Sequence, residues 1–221
     1  MKRNVSLAEI SDVHLYMAND MVKADCGGCE GCSRCCHGMG NSIILDPYDV
    51  YRMTTGMGKS MQELLAASVE LNVVDGVILP NLKMRGTEEA CAYLDGEGRC
   101  SIHPYRPGVC RLFPLGRYYE NGGFSYFLQT GECAKENRSK VKVSKWIDTP
   151  ELTRNQQFTL QWHDLLHAME ERLTGEDEGK QREENLLLLR LFYLLPYEGT
   201  IDFYTQFTER MEHWNGQNGQ I

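Results

Sequence analysis

Short runs of alternating apolar and polar residues fill roughly the first 140 positions and predict short helices and strands. Ser6 and Glu9 have the spacing of a capping box, and the apolar residues behind them predict a first helix that ends near Ala24. Asp46 followed by Pro47 is typical of a helix start. The elements predicted after the first helix are a strand at 41–45, helices at 48–54 and 60–70, and a strand at 77–84.

Glycine-containing turns separate two pairs of extended runs and predict two hairpins. The first hairpin spans 91–102 with its turn at 95–98, and the second spans 117–128. Prolines bound a turn or short helix at 104–112. Beyond Lys140 the apolar residues take helical spacing and predict helices at 144–173, 182–195 and 203–214.

The charge balance is acidic, with 23 Lys and Arg against 31 Asp and Glu and a formal net charge of −8. This balance disfavours nucleic acid as a partner, because phosphate binding needs a basic face. No apolar stretch follows Lys2 and Arg3, and the most apolar segment, 186–195, is too short to cross a bilayer. We therefore expect a cytoplasmic protein with no nucleic-acid or membrane partner. If it has a macromolecular partner, we expect another protein.

Five of the nine cysteines fall within eleven residues, at Cys26, Cys29, Cys32, Cys35 and Cys36. A two-residue gap lets one tight turn aim two sulfurs at the same ion, and glycine in the gap tolerates the backbone angles of that turn. A reducing cytosol disfavours disulfides, so clustered cysteines there indicate metal or redox chemistry. The predicted metal ligands are Cys29, Cys32, Cys35, Cys36, Cys91, Cys100, Cys110 and Cys133, with Cys26 and His37 as further candidates.

Which thiols share one ion stays open at this point. Three thiolates from one loop and a distant fourth hold a four-iron cluster in ferredoxins, but their run continues to Cys-Pro, whereas this loop ends Cys35-Cys36-His37. Adjacent side chains diverge in extended backbone, so we expect Cys35 and Cys36 to serve two ions, or one ion and a bridge. Zinc also accepts four thiolates. Because only one half of the chain has the two-residue spacing, we favour a four-iron iron–sulfur cluster over Zn²⁺.

Together these patterns predict an α+β fold in two parts. Residues 1–140 form a small cysteine-rich metal-binding core with short hairpins, and residues 141–221 form a helical C-terminal extension packed on it. A chain of this length buries roughly 70% of the surface that its unfolded form exposes. It therefore does not need a metal ion merely because it is small.

Four segments carry a resemblance to a known family. They are 29–36, 44–52, 91–102 and 105–114, which contain Cys-x-x-Cys-x-x-Cys-Cys, Ile-Leu-Asp-Pro-Tyr-Asp-Val-Tyr-Arg, Cys-Ala-Tyr-Leu with Gly-Arg-Cys-Ser-Ile, and Tyr-Arg-Pro-x-x-Cys-Arg-x-Phe-Pro. Over about 26–135 the chain resembles the YkgJ-like cysteine-cluster family (CxxCxxCC), a zinc- or iron-chelating domain. The flagellin lysine N-methylases are similar to that family. The resemblance implies a bound metal or iron–sulfur cluster.

The resemblance leaves enzymatic activity open and identifies no catalytic residue. One alternative is a protein lysine N-methylase of the flagellin N-methylase kind, which would require S-adenosylmethionine. The sequence contains neither Gly-x-Gly-x-x-Gly nor a Cys-x-x-x-Cys-x-x-Cys triad, and both absences count against a methylase. The other alternative is a structural zinc scaffold for protein–protein interaction. Arg106 and Arg111 flank Cys110 and are candidates to offset thiolate charge, with ordinary ion pairs as the alternative.

Overall fold

The computed structural model describes residues 6–27, 32–135 and 137–218. Its helices and small antiparallel sheets, with a helical C-terminal part, confirm the predicted α+β class. The helices are α1 (Leu7–Ile10), α2 (Pro47–Met57), α3 (Met61–Ala67), α4 (Gly108–Leu112), α5 (Val143–Ile147), α6 (Leu152–Leu173), α7 (Glu178–Leu189) and α8 (Phe203–Asn218). The strands are β1 (Ser11–Tyr16), β2 (Met21–Asp25), β3 (Val69–Val74), β4 (Val77–Leu82), β5 (Met84–Arg85), β6 (Ala90–Cys91), β7 (Leu115–Glu120), β8 (Gly123–Gln129) and β9 (Ser139–Lys142). Shorter elements are the 3-10 helices Arg34–Cys36 and His103–Tyr105 and the π-helical turn Arg190–Leu194.

The chain folds into two compact units that interleave along the sequence. The first unit comprises Met1–Gly40, Met84–Ser101 and Gly108–Leu160, and the second comprises Asn41–Lys83, Ile102–Pro107 and Gln161–Ile221. Every described cysteine therefore belongs to the first unit. The predicted division of the chain at residue 140 stays a prediction.

The first unit is built around two antiparallel sheets. One has the strand order β1-β8-β7, and the other pairs β2 with β9. The predicted second hairpin is confirmed as β7 and β8, with Leu115 opposite Leu128 at one end and Glu120 opposite Gly123 at the turn. The buried residues of the core are Val22, Ala24, Leu112, Leu115, Tyr126, Leu128, Val143 and Ile147.

The prediction of a first helix that continues to Ala24 is wrong. The capping box at Ser6 forms, but α1 ends at Ile10 and is followed by β1 and β2. β1 pairs with β8 and places Leu15 opposite Phe127. Exposed and buried positions alternate along β2, as they do in a half-buried strand. Pairing with distant strands thus outweighs the local helical spacing.

Two further predicted elements differ in the structure. The helix predicted at 144–173 is interrupted, since α5 ends at Ile147 and α6 begins at Leu152. Asp148 has a left-handed backbone with a φ of 48°, and Pro150 disfavours helical backbone in the residue before it. The strand predicted at 41–45 is reduced to one bridge, between Ile44 and Asn81.

The second unit combines the β3–β4 hairpin with helices. The predicted helix at 60–70 ends earlier, at Ala67, because β3 begins at Val69 and pairs with β4. Asn185 of α7 hydrogen-bonds to the β3–β4 hairpin. Its Oδ1 accepts from the Ile78 N–H over 2.6 Å, and its Nδ2 donates to Gly76 O over 3.2 Å. The predicted helices at 48–54, 182–195 and 203–214 are confirmed as α2, α7 with its π-helical turn, and α8. Within the described ranges, no helix combines the length and apolarity that crossing a membrane requires.

Candidate metal centre

The cysteine loop leads from β2 into the 3-10 helix Arg34–Cys36. The Cys36 N–H closes this turn by donating to Ser33 O over 2.8 Å. Cys35 and Cys36 therefore lie on one helical turn rather than on extended backbone. The premise of extended backbone is therefore wrong here, and the Cys36 thiol hydrogen-bonds to Cys35. That the two thiols serve two ions, or one ion and a bridge, stays a prediction.

Strand β6 brings Cys91 next to this turn. On one edge β6 pairs with β5, with Cys91 opposite Met84. On its other edge Ala90 forms an antiparallel bridge with His37. The chain directly after Cys36 thus runs alongside the strand that carries Cys91, although the two residues are far apart in sequence.

Cys100 follows a turn that contacts the cysteine loop. The first predicted hairpin is reduced here to one bridge, between Leu94 and Cys100, because the strand before it pairs with β5 instead. Within the turn, the Gly98 N–H donates to Asp95 O over 3.0 Å. A Cβ built on Gly98 would lie 3.9 Å from Ser33 Oγ, which places the turn against the loop just before Cys35.

Cys110 lies on the short helix α4, whose end is anchored in the core. Trp146 of α5 donates from Nε1 to Leu112 O over 3.3 Å and to Phe113 O over 3.2 Å. Arg111, one of the two arginines predicted to flank the site, is buried directly after Cys110. The aromatic core thus fixes where α4 ends.

Four of the thiols act on one another. The pKa of the Cys36 thiol is raised well above the ordinary value for cysteine, first by its hydrogen bond to Cys35 and then by burial. Negative charge on Cys35, Cys91 and Cys110 raises it further, since each thiolate opposes the formation of another. Thiols from three separate chain segments therefore share one electrostatic environment.

Two groups that sequence reasoning missed act on Cys91. Burial raises the pKa of the Cys91 thiol, while a hydrogen bond from the Tyr93 backbone and the positive charge of Arg85 lower it. Arg85 reaches this neighbourhood because it pairs with Ala90 in the β5–β6 ladder. No local motif signals this, since the register of two short strands decides it. Arg106, which was predicted to flank the site, belongs to the second unit, and its role stays a prediction.

The other candidate ligands lie on loops of the first unit. Cys26 directly follows β2, Cys32 precedes the 3-10 helix, and Cys133 lies between β8 and β9, whereas Cys29 falls outside the described residues. All eight described cysteines are half-buried thiols rather than disulfides. Across 6–27, 32–135 and 137–218, no three Cys, His, Asp or Glu side chains are arranged to hold a metal ion. The complete ligand set, His37 included, therefore stays a prediction.

The chemistry of the four interacting thiols suits a thiophilic metal. Each thiol must lose its proton before it can bind a metal ion. At Cys36, the hydrogen bond to Cys35, burial and the repulsion between thiolates raise the pKa and keep the proton bound when no cation is present. A metal cation would remove that repulsion, and both zinc and iron accept thiolate ligands. The donor set thus fits either metal.

Comparison with protein-family models matches residues 28–146 to a family described as "CxxCxxCC: Putative zinc- or iron-chelating domain". The match covers more than half of the chain and includes the cysteine loop, β6, α4 and the loop that carries Cys133. No curated protein and no solved structure matches this chain.

Proposed function

This chain belongs to the CxxCxxCC family of zinc- or iron-chelating domains, and we propose that Cys35, Cys36, Cys91 and Cys110 are the central ligands of its metal site. The observation that carries this proposal is the mutual interaction of these four thiols, which raises the pKa of Cys36 through a hydrogen bond, burial and neighbouring charge. Three chain segments supply the four sulfurs, so the metal would join parts of the first unit that are distant in sequence.

An iron–sulfur cluster of the four-iron type is the form that we propose, with Zn²⁺ as the alternative. Both forms accept four thiolates. We favour the four-iron cluster because only one half of the chain carries cysteines at two-residue spacing, whereas closed four-cysteine zinc sites usually use two such pairs. The remaining predicted ligands, Cys32, Cys100 and Cys133 among them, would complete the site or form a second one.

Purification under anaerobic conditions tests the identity of the metal. We expect brown protein that contains iron and acid-labile sulfide and absorbs visible light. Colourless protein with stoichiometric zinc, insensitive to air, would instead support the zinc alternative. Protein that holds neither metal after expression with both supplied would contradict the proposal as a whole.

Substitution of single cysteines tests the ligand set. Structural zinc sites with four ligands have apparent binding free energies of about 10–16 kcal/mol, so the loss of one ligand should weaken binding by roughly a hundredfold or more. We expect Cys36→Ser and Cys91→Ser to lose most of the metal. Cys26→Ser is the matched control and should have a milder effect. Equal metal content in all three variants would contradict the central role of these thiols.

The cellular role that we propose is a cytoplasmic redox or accessory role in support of a partner enzyme. The lysine N-methylase and the zinc scaffold remain alternatives. Transfer of a methyl group from S-adenosylmethionine to a lysine-bearing protein such as flagellin would support the former. A colourless zinc protein that binds a partner through its C-terminal helices would support the latter.

A further inference from the structure

The ribbon formed by β2 and β9 has one buried face and one exposed face. Met21 pairs with Lys142, and Val22 pairs with Val141. Val22 is 1% exposed and packs in the core of the first unit, and Val141 packs against the same core. Because side chains alternate along a strand, the residues on either side of this valine pair project from the opposite face.

That opposite face carries three lysines. Lys23 on β2 and Lys140 and Lys142 on β9 are all exposed, and they surround Met21, which is 49% exposed. We refer to these four residues as the lysine ribbon. Within the part of the chain that the structure describes, none of the three lysines forms an ion pair or a side-chain hydrogen bond.

The lysine ribbon is a local exception in an acidic protein. The net charge of the chain is −8, yet four of its nine lysines lie between positions 135 and 145. Neighbouring strands are about 4.8 Å apart and residues two positions apart on a strand about 7 Å, so the three ammonium groups fall within roughly one Debye length of each other at 0.1 M salt. Like charges at this spacing repel and lower the stability of the ribbon. A bound anionic group would relieve that repulsion.

We propose that the lysine ribbon is a docking surface for an acidic segment of another protein. Three charges on a ribbon two strands wide match a short run of Asp or Glu, and Met21 offers an apolar contact beside them. A nucleic acid or an anionic membrane is larger than the lysine ribbon and would also contact other parts of the protein surface. Because the chain has a net charge of −8, those parts would repel it. Charge complementarity therefore favours a compact acidic peptide segment.

The ribbon is continuous with the cysteine segments. β2 ends at Asp25, and Cys26 is the next residue. β9 begins at Ser139, and the segment before it carries Cys133. A protein docked on the ribbon would thus lie where both strands lead into the cysteine-bearing loops.

Binding of a labelled acidic peptide to the full chain, as purified with its metal, tests this proposal. The probe is a fluorescein-labelled peptide of alternating Glu and Ser, and the neutral probe replaces each Glu by Gln. We expect saturable binding of the Glu peptide that weakens as salt rises, because screening reduces exposed ion pairs. The variant Lys23→Gln/Lys140→Gln/Lys142→Gln should weaken it by about tenfold, since three exposed ion pairs each contribute modestly.

A control variant separates the ribbon from the general charge of the protein. Lys59→Gln/Arg182→Gln/Arg190→Gln removes three exposed positive charges from the second unit and changes the net charge by the same amount. It should retain wild-type affinity, and replacement of the three ribbon lysines by arginine should also retain it. The proposal is overturned by an absence of peptide binding, by equal weakening in both Gln variants, or by tighter binding of duplex DNA or of phosphatidylserine vesicles than of the Glu peptide.

Discussion

Raising the pH should lower the free energy of unfolding of the metal-free protein, and the variant Cys36→Ser should lose less of it. The pKa of the Cys36 thiol is raised above the ordinary cysteine value of 9.0 by a hydrogen bond to Cys35, by burial and by the charges of nearby thiolates. Below pH 9 this thiol is protonated in both the folded and the unfolded chain, so its stabilising contribution is fully present. Above pH 9 the unfolded chain releases the proton while the folded chain keeps it, and the free energy of unfolding falls.

The size of the loss follows from proton linkage. For one thiol that stays protonated in the folded chain, raising the pH from 8 to 10 lowers the free energy of unfolding by about 1.4 kcal/mol. Because Cys36 is only half-buried, solvent screening reduces this figure, and we expect about 0.7 kcal/mol. Cys91, whose pKa is also raised, first by burial, adds a loss of the same sign.

Urea unfolding of the chelator-treated, fully reduced protein at pH 8 and pH 10 measures the effect. Cys36→Ser should lose less stability over this interval than the wild type, by the amount assigned to Cys36. Cys133→Ser is the matched control, because it removes a thiol outside the group that acts on Cys36, and it should lose as much as the wild type. If Cys36→Ser loses as much stability as the wild type over the same interval, the thiols do not interact in the way that the structure indicates.

Two further predictions concern stability. Gly116→Ala should destabilise the protein by about 1–3 kcal/mol, because the new Cβ would overlap the ring of Phe127, which is 8% exposed. Gly123→Ala on the same hairpin should be close to neutral, since its Cβ would lie 3.8 Å from its nearest neighbour; equal urea midpoints for the two variants would contradict this reasoning. The Glu184 side chain is 7% exposed, and its carboxylate accepts a hydrogen bond from Arg172 over 2.7 Å. Arg172→Met should lower the free energy of unfolding by roughly 3 kcal/mol, measured by chemical denaturation, because it leaves that carboxylate buried without its cation. Addition of Glu184→Leu should recover most of that loss, and no recovery would show that the pair is not the cause.

Caps and tight turns were predictable because their interactions join close neighbours in sequence. The capping box at Ser6 and the helix start at Asp46 both form as predicted, although the sequence does not give the length of the helix that follows each of them. The second hairpin was predictable for the same reason, since its turn at 121–123 lies between strands that pair with each other. The residue types of the candidate metal site were also evident, because thiols clustered at two-residue spacing are typical metal ligands.

Tertiary structure decided everything that depends on distant partners. The chain after Ile10 becomes a strand because β8, more than a hundred positions away, supplies its hydrogen bonds. Cys91 stands beside Cys36 because the residue after Cys36 bridges to the strand that carries Cys91, and β5 rather than a hairpin partner takes the other edge of that strand. The sequence by itself determined which sulfurs are available. The pairing of short, distant strands determined which of them meet, since each such contact must offset the entropy of closing a long loop and depends on the whole fold.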